Sequence, residues 1–407
     1  MTIKVRALLV MGLAMATMWL AGCGHYNCGI TFGSSSCTAS GGGISQGGNG
    51  NSTGNGLLYV ADAGGIQGMT FFASNGDFVN TCSPTTCPTV PNVGTVEEWS
   101  VIAQEKYLYV LYSTSGQIYG WSIASDGSLT NISPSVYPFQ LSYVLPQNVG
   151  TQAMILNPAG NLLFVLDPTN AMINVYTISS TGTLASAGPS VVLPSGFGEP
   201  FNMAIDGQGK YLYVSNVVGG ASTTEIQSYS IGTGILSPLA TYLSSTNSQF
   251  GLMQMQSDSS GKYLIGTTGA LDNADSHLYV LGIAADGSLT PVTGSPFATV
   301  NPPDLVAVQP NTGGTLVYSV TISGLSVGGP LEGYTLNASS GALTSVGAPF
   351  NVTGDMTQFD QAGTYLYVRD LFNKNMSVFN VGTSSVLTQP DASVGWGVGA
   401  WSPTDLQ

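Results

Sequence analysis

Lys210-Tyr211-Leu212-Tyr213-Val214 is the stretch that decides the fold, because near-copies of it return along the whole chain. The copies share a leucine, at positions 58, 108, 163, 212, 264, 316 and 366, so successive copies lie 49 to 55 residues apart. Repeats of this length are typical of β-propeller blades, and a single blade cannot bury its own apolar face. The seven copies therefore predict one domain built from seven repeats.

Each repeat predicts four short strands. In the fourth repeat, an apolar strand at 201–205 leads into a turn at 206–209, and a second strand follows at 210–215. A third strand is predicted at 226–231 and a fourth from Leu236, with Thr233-Gly234 as the tight turn between them, because hairpin turns need glycine at positive φ. The turn recurs in five other repeats, as Asn75-Gly76, Asp126-Gly127, Thr181-Gly182, Asp286-Gly287 and Ser340-Gly341. These patterns predict an all-β chain, a seven-bladed β-propeller of four-stranded blades.

The two ends of the chain predict how the ring closes. The stretch 57–60 reads as a second strand with no first strand before it, and 396–404 reads as a first strand and its turn with nothing after it. We therefore expect the C-terminal strand to pair with the N-terminal blade. The propeller domain is predicted to span residues 57–407.

The N-terminus has the pattern of an export signal. Lys4 and Arg6 precede an apolar stretch at 7–20, and Leu20-Ala21-Gly22-Cys23 resembles the bacterial lipoprotein signal. Residues 1–22 are thus predicted to be a signal peptide and Cys23 to carry the lipid. An ordinary cleaved signal peptide with a chance cysteine is the alternative. The resemblance to the sorting rule of Gram-negative lipoproteins implies the outer membrane, because Gly24 and not Asp follows the cysteine. We therefore expect an exported protein anchored in the bacterial cell envelope.

Residues 23–56 are predicted to form a flexible tether, because Gly, Ser, Asn and Thr dominate the segment. Four cysteines remain after Cys23, and an even number in an exported chain indicates disulfides. Pairing Cys28 with Cys37 and Cys82 with Cys87 closes the shortest loops of the three possible connectivities. A zinc site that includes His25 is the alternative.

The repeat resembles the lactonase family of seven-bladed propellers, which includes 6-phosphogluconolactonase-like proteins and muconate cycloisomerases. The resemblance rests on the Lys-Tyr-Leu-Tyr-Val second strand, on Val175-Tyr176-Thr177-Ile178 and on hairpins such as Asp126-Gly127-Ser128-Leu129-Thr130. It covers the chain from Leu57 to the C-terminus. It implies the propeller fold, and it implies lactone hydrolysis or cycloisomerisation as an activity that would need a His and Arg residues.

Charge limits the partners that the domain can bind. The net charge is −14, and seven Lys and Arg residues cannot neutralise a phosphate backbone, which excludes nucleic acid. Acidic and polar residues instead fall in the loops that enter first strands or leave second strands, where propellers bind ligands. The candidates on this predicted face are Glu97, Glu98, Gln152, Glu199, Gln249, Asp304, Asp355 and Trp396 before first strands, and Asp62, Asp167, Asn216 and Asp370 after second strands.

These residues support two interpretations. Carboxylates at one end of a channel could bind a divalent cation such as calcium, or hydrogen-bond a glycan. Alternatively, Asp62, Asp167, Asn216 and Asp370 cap turns and the remaining acids form a solvated rim.

Two hypotheses about function follow. The first is a monomeric binding or scaffolding propeller for a protein, a glycan or a metal ion. The second is a lactone hydrolase or cycloisomerase, in which His277 or a carboxylate acts as general base and Arg369 stabilises developing negative charge. His277 is the one histidine of the predicted domain, and Arg369 and Lys374 are the cations placed near its face. The scarcity of cations favours the first hypothesis.

Overall fold

The structure is a computed structural model of the 407-residue chain. It describes residues 30–33, 56–62, 65–72, 77–80, 98–104, 106–112, 117–124, 128–138, 153–168, 170–195, 197, 199–217, 225–243, 254–267, 276–310, 315–321, 329–352, 356–359, 363, 365–370, 375–381 and 392–395. Everything below concerns these residues. All their regular elements are β-strands, so the predicted all-β class is confirmed.

The strands form seven antiparallel sheets, numbered here in chain order. Sheet 1 contains β1 (Ile30–Gly33), β2 (Gly56–Asp62), β3 (Gly65–Phe72) and β4 (Asp77–Asn80). Sheet 2 contains β5 (Glu98–Ala103), β6 (Tyr107–Tyr112), β7 (Gln117–Ile123) and β8 (Leu129–Pro138). Sheet 3 contains β9 (Met154–Leu156), β10 (Leu162–Asp167), β11 (Met172–Ile178), β12 (Leu184–Ser186) and β13 (Val191–Val192). Sheet 4 contains β14 (Glu199–Ile205), β15 (Tyr211–Val217), β16 (Glu225–Ile231) and β17 (Leu236–Leu243).

The last three sheets follow the same plan. Sheet 5 contains β18 (Gln254–Ser257), β19 (Tyr263–Thr267), β20 (His277–Ile283), β21 (Leu289–Pro291) and β22 (Phe297–Ala298). Sheet 6 contains β23 (Leu305–Val308), β24 (Thr315–Val320), β25 (Pro330–Leu336), β26 (Leu343–Ser345) and β27 (Phe350–Asn351). Sheet 7 contains β28 (Met356–Phe359), β29 (Tyr365–Asp370), β30 (Asn375–Asn380) and β31 (Ala392–Gly395). In sheets 3, 5 and 6 the fourth strand is broken into two pieces that pair with the same third strand.

The sheets follow one another as the blades of a propeller would. The first strand of each sheet contacts the first strand of the next, from β1 through β5, β9, β14, β18 and β23 to β28. Sheets 7 and 1 also meet, through β31 and β4. No helix among the described residues is long and apolar enough to cross a membrane.

The first strand of sheet 1 corrects the prediction for the chain ends. β1 pairs with β2 in the register Ile30 to Val60 and Phe32 to Leu58, so the predicted tether at 23–56 contains a strand. Ile30-Thr31-Phe32 is a short β-branched and aromatic run inside a Gly/Ser-rich segment, which suits a strand. The C-terminal segment 396–404, which we expected to pair with the N-terminal blade, lies outside the described residues.

Apolar side chains fill the spaces between neighbouring sheets. Between sheets 3 and 4, Phe164, Leu166, Met203, Leu212 and Val214 belong to one buried cluster. Alternate residues of the repeat motif face opposite neighbours, since Leu212 and Val214 pack towards sheet 3 while Tyr213 packs with Met255 and Leu264 of sheet 5. This two-sided burial explains why the motif is apolar at every position of a central strand.

The tyrosines of the repeat motif join one sheet to the next. The Tyr109 hydroxyl donates to the Gly182 carbonyl at 2.5 Å, and the Tyr107 hydroxyl donates to the Ser180 carbonyl at 2.6 Å. Both acceptors lie in the hairpin turn between the third and fourth strands of the next sheet. We call this contact the tyrosine clip. It recurs from sheet 4 to sheet 5, where Tyr211 donates to the Ala285 carbonyl, and from sheet 5 to sheet 6, where Tyr263 donates to the Ala338 carbonyl at 3.4 Å.

The clip also explains the hairpin glycines. Gly182 has a φ of 79°, and a Cβ added there would lie 2.5 Å from the Tyr107 ring. Gly287 has a φ of 81°, and its added Cβ would lie 2.6 Å from the Tyr211 ring. A side chain at either position is therefore excluded both by the left-handed backbone and by the tyrosine. The predicted positive φ of these turns is confirmed.

Aromatic side chains fill the joint between sheets 6 and 7. Tyr318 of β24 pairs with Gly333 as Tyr213 of β15 pairs with Ser228, so Tyr318 occupies the position of the second motif tyrosine. Tyr318 lies 5.9 Å from Phe359 of β28, and Phe350 of β27 meets Phe379 of β30 edge-on at 5.5 Å. Apolar packing therefore contributes to this joint.

Candidate functional site

Two ends of each sheet can be distinguished. At the loop end, first strands begin and second strands end, whereas at the turn end the first strand turns into the second. The backbone places the predicted acidic residues Glu98 and Glu199 at the starts of β5 and β14. It places Asp62, Asp167 and Asp370 at the ends of second strands. These residues therefore share the loop end, while Glu97, Asp355, Trp396, Gln152, Gln249 and Lys374 lie outside the described residues.

Asp167 caps a turn at the loop end. Its Oδ1 accepts the Asn170 backbone N–H at 3.1 Å, and its Oδ2 accepts the Asn170 side-chain amide at 2.7 Å. The carboxylate is buried, at 2% exposure. Asn216, at the equivalent place in the next sheet, is also buried and donates its amide to the Phe197 carbonyl. The contacts of Asp167 agree with the turn-capping interpretation. Asn216 instead binds the segment that precedes β14, 19 residues earlier in the chain.

Asp304 does not lie on an exposed rim. It is 5% exposed, its backbone N–H donates to the Val320 carbonyl at 2.9 Å, and its own carbonyl accepts the Thr267 hydroxyl at 2.8 Å. The ladder between β23 and β24 thus extends one residue beyond β23 and draws Asp304 into the sheet. The prediction of a solvated carboxylate at this position is wrong.

Glu332 is a buried carboxylate that the sequence did not single out. It lies on the third strand of sheet 6 and is 5% exposed. Its oxygens accept the backbone N–H groups of Val300 at 3.0 Å and Asn301 at 2.9 Å, the Asn301 amide at 3.1 Å and the Tyr334 hydroxyl at 2.6 Å. Burial, and secondarily the hydrogen bond to Glu332, raise the pKa of Tyr334. We call this arrangement the Glu332 clasp, because it fixes the loop that leads into β23.

The two weak catalytic candidates lie on different sheets. His277 is the first residue of β20 in sheet 5, is half-buried and pairs with Ala298 of β22. Arg369 lies in β29 of sheet 7 and pairs with Met356 of β28. Both stand near the loop end of their sheets. The described contacts do not join them into one site.

The turn end carries buried aspartates with a structural role. Asp206 Oδ1 accepts the N–H groups of Lys210 and Tyr211, both at 2.6 Å. Asp258 repeats the arrangement with Lys262 at 2.9 Å and Tyr263 at 2.7 Å. Each carboxylate thus closes the turn that precedes the repeat motif. The lysines in these turns, Lys106, Lys210 and Lys262, are exposed.

A cavity of about 530 Å³ opens between these turns. First strands and first turns of sheets 3 to 6 line it. Its walls are mainly apolar, and its polar groups come from Gln256, Ser257, Asp258 and Ser259. The apolar lining residues are Ile155, Pro158, Ala204, Ile205, Met255, Val308 and Pro310. The cavity therefore lies at the opposite end of the sheets from the predicted binding face.

The described residues contain neither a cluster of metal ligands nor the cysteines predicted to carry the lipid and the disulfides. Among those residues, no three His, Cys, Asp or Glu side chains cluster as metal ligands would. The predicted lipidated Cys23 and the predicted disulfide cysteines Cys28, Cys37, Cys82 and Cys87 all lie outside the described ranges. Calcium binding, lipid attachment and the disulfides stay predictions.

Comparison with known proteins shows similarity of fold. No protein-family model matches the sequence, and no curated protein matches it. A proposed 6-phosphogluconolactonase from Bacteroides fragilis superposes with a TM-score of 0.60 at 15% identity, over 83% of this chain and 94% of that one. A periplasmic gluconolactonase from Pseudomonas aeruginosa superposes with a TM-score of 0.55 at 17% identity, over 84% of this chain and 96% of that one. At such identities the likeness establishes a lactonase-like propeller fold and no activity.

Proposed function

We propose that the chain is an exported, lipid-anchored propeller that binds a protein, a glycan or a metal ion at its loop end. The observation that carries the proposal is the uneven distribution of basic residues between the two ends. Three of the five basic residues after the signal peptide, Lys106, Lys210 and Lys262, stand in turns at the turn end. Acidic residues lie at the first positions of first strands and at the last positions of second strands. The loop end therefore attracts cations and hydrogen-bond donors.

We further propose that the seven sheets close into one seven-bladed ring. The unbroken series of contacts between first strands, from β1 to β28, and the contact of β31 with β4 support this arrangement. Closure leaves only short strand edges, which protects a β-protein from pairing with other chains. It also suits a monomeric platform whose loops keep fixed positions.

Rigid carboxylate contacts support the idea of a platform. Asp167 and the Glu332 clasp bind backbone N–H groups of loop-end segments, which holds those segments in place without using solvent-facing charge. Ordered loops lose less conformational entropy when a partner binds. We propose that the other acids of this end contact the partner.

The test compares three acids of the predicted face with Asp304, which is buried. Envelope glycans and calcium would be titrated against the wild-type protein and against the triple variant Glu97→Gln, Glu199→Gln, Asp355→Asn by calorimetry. We expect the triple variant to bind at least tenfold more weakly and to unfold at an unchanged temperature. Equal affinity in the two proteins would count against the proposal. Asp304→Asn serves as a structural control, because buried Asp304 should affect unfolding and leave binding largely intact.

The anchor is tested separately. A fatty-acid analogue should label the wild-type chain in cells, and Cys23→Ser should abolish the label and release the protein from membranes.

Lactone hydrolysis is the second candidate, favoured by the fold shared with the gluconolactonase from P. aeruginosa. The acidic loop end would repel a phosphorylated lactone, so an uncharged sugar lactone is the substrate to test. Loss of a general base or a charge-stabilising donor costs about a hundredfold in rate. Hydrolysis of gluconolactone that disappears in His277→Ala or Arg369→Ala would establish this candidate over the binding function.

A further inference from the structure

The cavity at the turn end contains a preorganised hydrogen-bond donor. Gln256 lies on β18 and lines the cavity. Its Oε1 accepts the backbone N–H of Val308 in the first strand of the next sheet, at 2.9 Å. Because an N–H can only donate, the amide oxygen must face Val308 and the amide nitrogen must turn away from it. Among the described residues, no acceptor contacts that nitrogen.

Two other polar side chains of the lining, Asp258 and Ser257, already make hydrogen bonds. Asp258 accepts the backbone N–H groups of Ser260, Lys262 and Tyr263 and the Ser260 hydroxyl. Ser257 donates to the Asp258 carbonyl at 3.0 Å and accepts the Gly207 N–H at 3.3 Å. A carboxylate with these contacts has little capacity left for a cation, and it repels an anion. The cavity therefore favours an uncharged ligand.

We propose that this cavity binds a small uncharged, largely apolar molecule through one carbonyl oxygen that accepts a hydrogen bond from Gln256 Nε2. The walls formed by Ile155, Ile205, Met255 and Val308 would contact its apolar part. A cavity of about 530 Å³ is within the size range of small-molecule sites, which are mostly apolar with a few placed polar groups. This site is separate from the proposed loop-end face, so either can fail without the other.

Gln254 provides a matched control. It lies two residues earlier on the same strand, and its Oε1 accepts the Val306 N–H just as Gln256 accepts that of Val308. Gln254 does not line the cavity. Gln256→Glu and Gln254→Glu both keep the acceptor that the neighbouring strand needs. Only the first replaces the donor inside the cavity with a negatively charged acceptor.

The probe is prodan, an uncharged naphthyl ketone whose fluorescence reports its surroundings. It would be titrated into the exported chain, residues 23–407, carrying Cys23→Ser to prevent lipid attachment. We expect one prodan per chain, at least tenfold weaker binding in Gln256→Glu, and a change of less than twofold in Gln254→Glu. The anionic dye 1-anilinonaphthalene-8-sulfonate should bind at least tenfold more weakly than prodan.

A second pair of variants tests the location independently of the amide. Ser259 lines the mouth, so Ser259→Trp should block prodan, whereas Ala159→Trp, on an exposed turn position outside the lining, should not. Equal prodan affinity in wild type, Gln256→Glu and Ser259→Trp would overturn the proposal. Equal weakening by Gln256→Glu and Gln254→Glu would also overturn it, because the loss would then come from the strand contact.

Discussion

At the scale of single residues, the tyrosine clip gives the repeat motif its physical meaning. A tyrosine at either clip position reaches a carbonyl of the next sheet's hairpin, and a glycine in that hairpin makes room for the ring. Sheet 3 shows the variation: Leu162 and Phe164 replace the tyrosines, and Leu162 packs near Gly234 without a hydroxyl. The motif is visible in the sequence, but its partner lies more than 70 residues away, as with the 73 residues between Tyr109 and Gly182.

Two buried tyrosines can isolate the energetic contribution of the clip, because the hydroxyl of one has a hydrogen-bond partner and that of the other has none among the described residues. Tyr109→Phe removes a buried donor from the Gly182 carbonyl and should lower the free energy of unfolding by about 1 kcal/mol. The Tyr229 hydroxyl is buried with no hydrogen-bond partner among the described residues, so Tyr229→Phe should be neutral or stabilising. Denaturant unfolding of both variants would check this. Equal losses would mean that the hydroxyl bond contributes nothing specific.

At the scale of elements, the predictability of this chain depends on whether a residue's partners are local. The turn at 206–209, the hairpin at Thr233-Gly234 and the fourth strand from Leu236 follow the prediction, because the signals lie within each segment. Asp304 was misplaced because its burial depends on pairing with β24. Glu332 was missed because its partners lie 31 and 32 residues away, at Asn301 and Val300. Nothing in Pro330-Leu331-Glu332-Gly333-Tyr334 indicates them.

The Glu332 clasp makes a local prediction. The Glu332 carboxylate accepts four hydrogen bonds, and Glu332→Gln replaces one of its two acceptor oxygens with an NH2 donor. We therefore expect a loss of about 1–3 kcal/mol in the free energy of unfolding. Faster hydrogen exchange should appear first at the Val300 or Asn301 amide, whichever loses its acceptor oxygen. Asp286→Asn, on an exposed hairpin whose carboxylate accepts from the Ser288 backbone and hydroxyl, is the control and should change stability little. Unchanged exchange at both amides in Glu332→Gln would show that the clasp does not hold the loop.

At the scale of the whole molecule, the pairing of β1 with β2 adds a strand to sheet 1 that lies ahead of residue 57, the predicted start of the domain. The seven repeats were countable from the sequence because each contains its own copy of the motif. The sequence did not reveal this first strand, because Ile30–Gly33 has no repeat motif and lies in a polar segment.

Two starting points for the chain test this boundary. A protein that begins at Asn27 should have a higher free energy of unfolding than one that begins at Leu57, by about 1–2 kcal/mol, because it retains the ladder between β1 and β2. Thermal and denaturant unfolding of the two proteins would measure the difference. Identical stabilities would show that the segment before Leu57 contributes no strand.

Buried tyrosines predict how the molecule responds to alkali. Burial raises the pKa of Tyr229 and Tyr318 to about 12, and it also raises the pKa of Tyr213, with Asp206 adding to the effect. An unfolded tyrosine ionises near pH 10, so the unfolded chain loses these protons first. The stabilisation is therefore complete below about pH 10 and is lost as the pH rises towards 12. Unfolding titrations with tyrosinate absorbance would follow this loss; ionisation of all tyrosines near pH 10 without unfolding would contradict it.

The aromatic contacts between sheets 6 and 7 make this joint sensitive to cold. Apolar packing loses driving force on cooling, since its stabilisation near room temperature is largely entropic. Two ring pairs, Tyr318 with Phe359 and Phe350 with Phe379, connect the two sheets. Cooling should consequently weaken the contact between the sixth and seventh sheets.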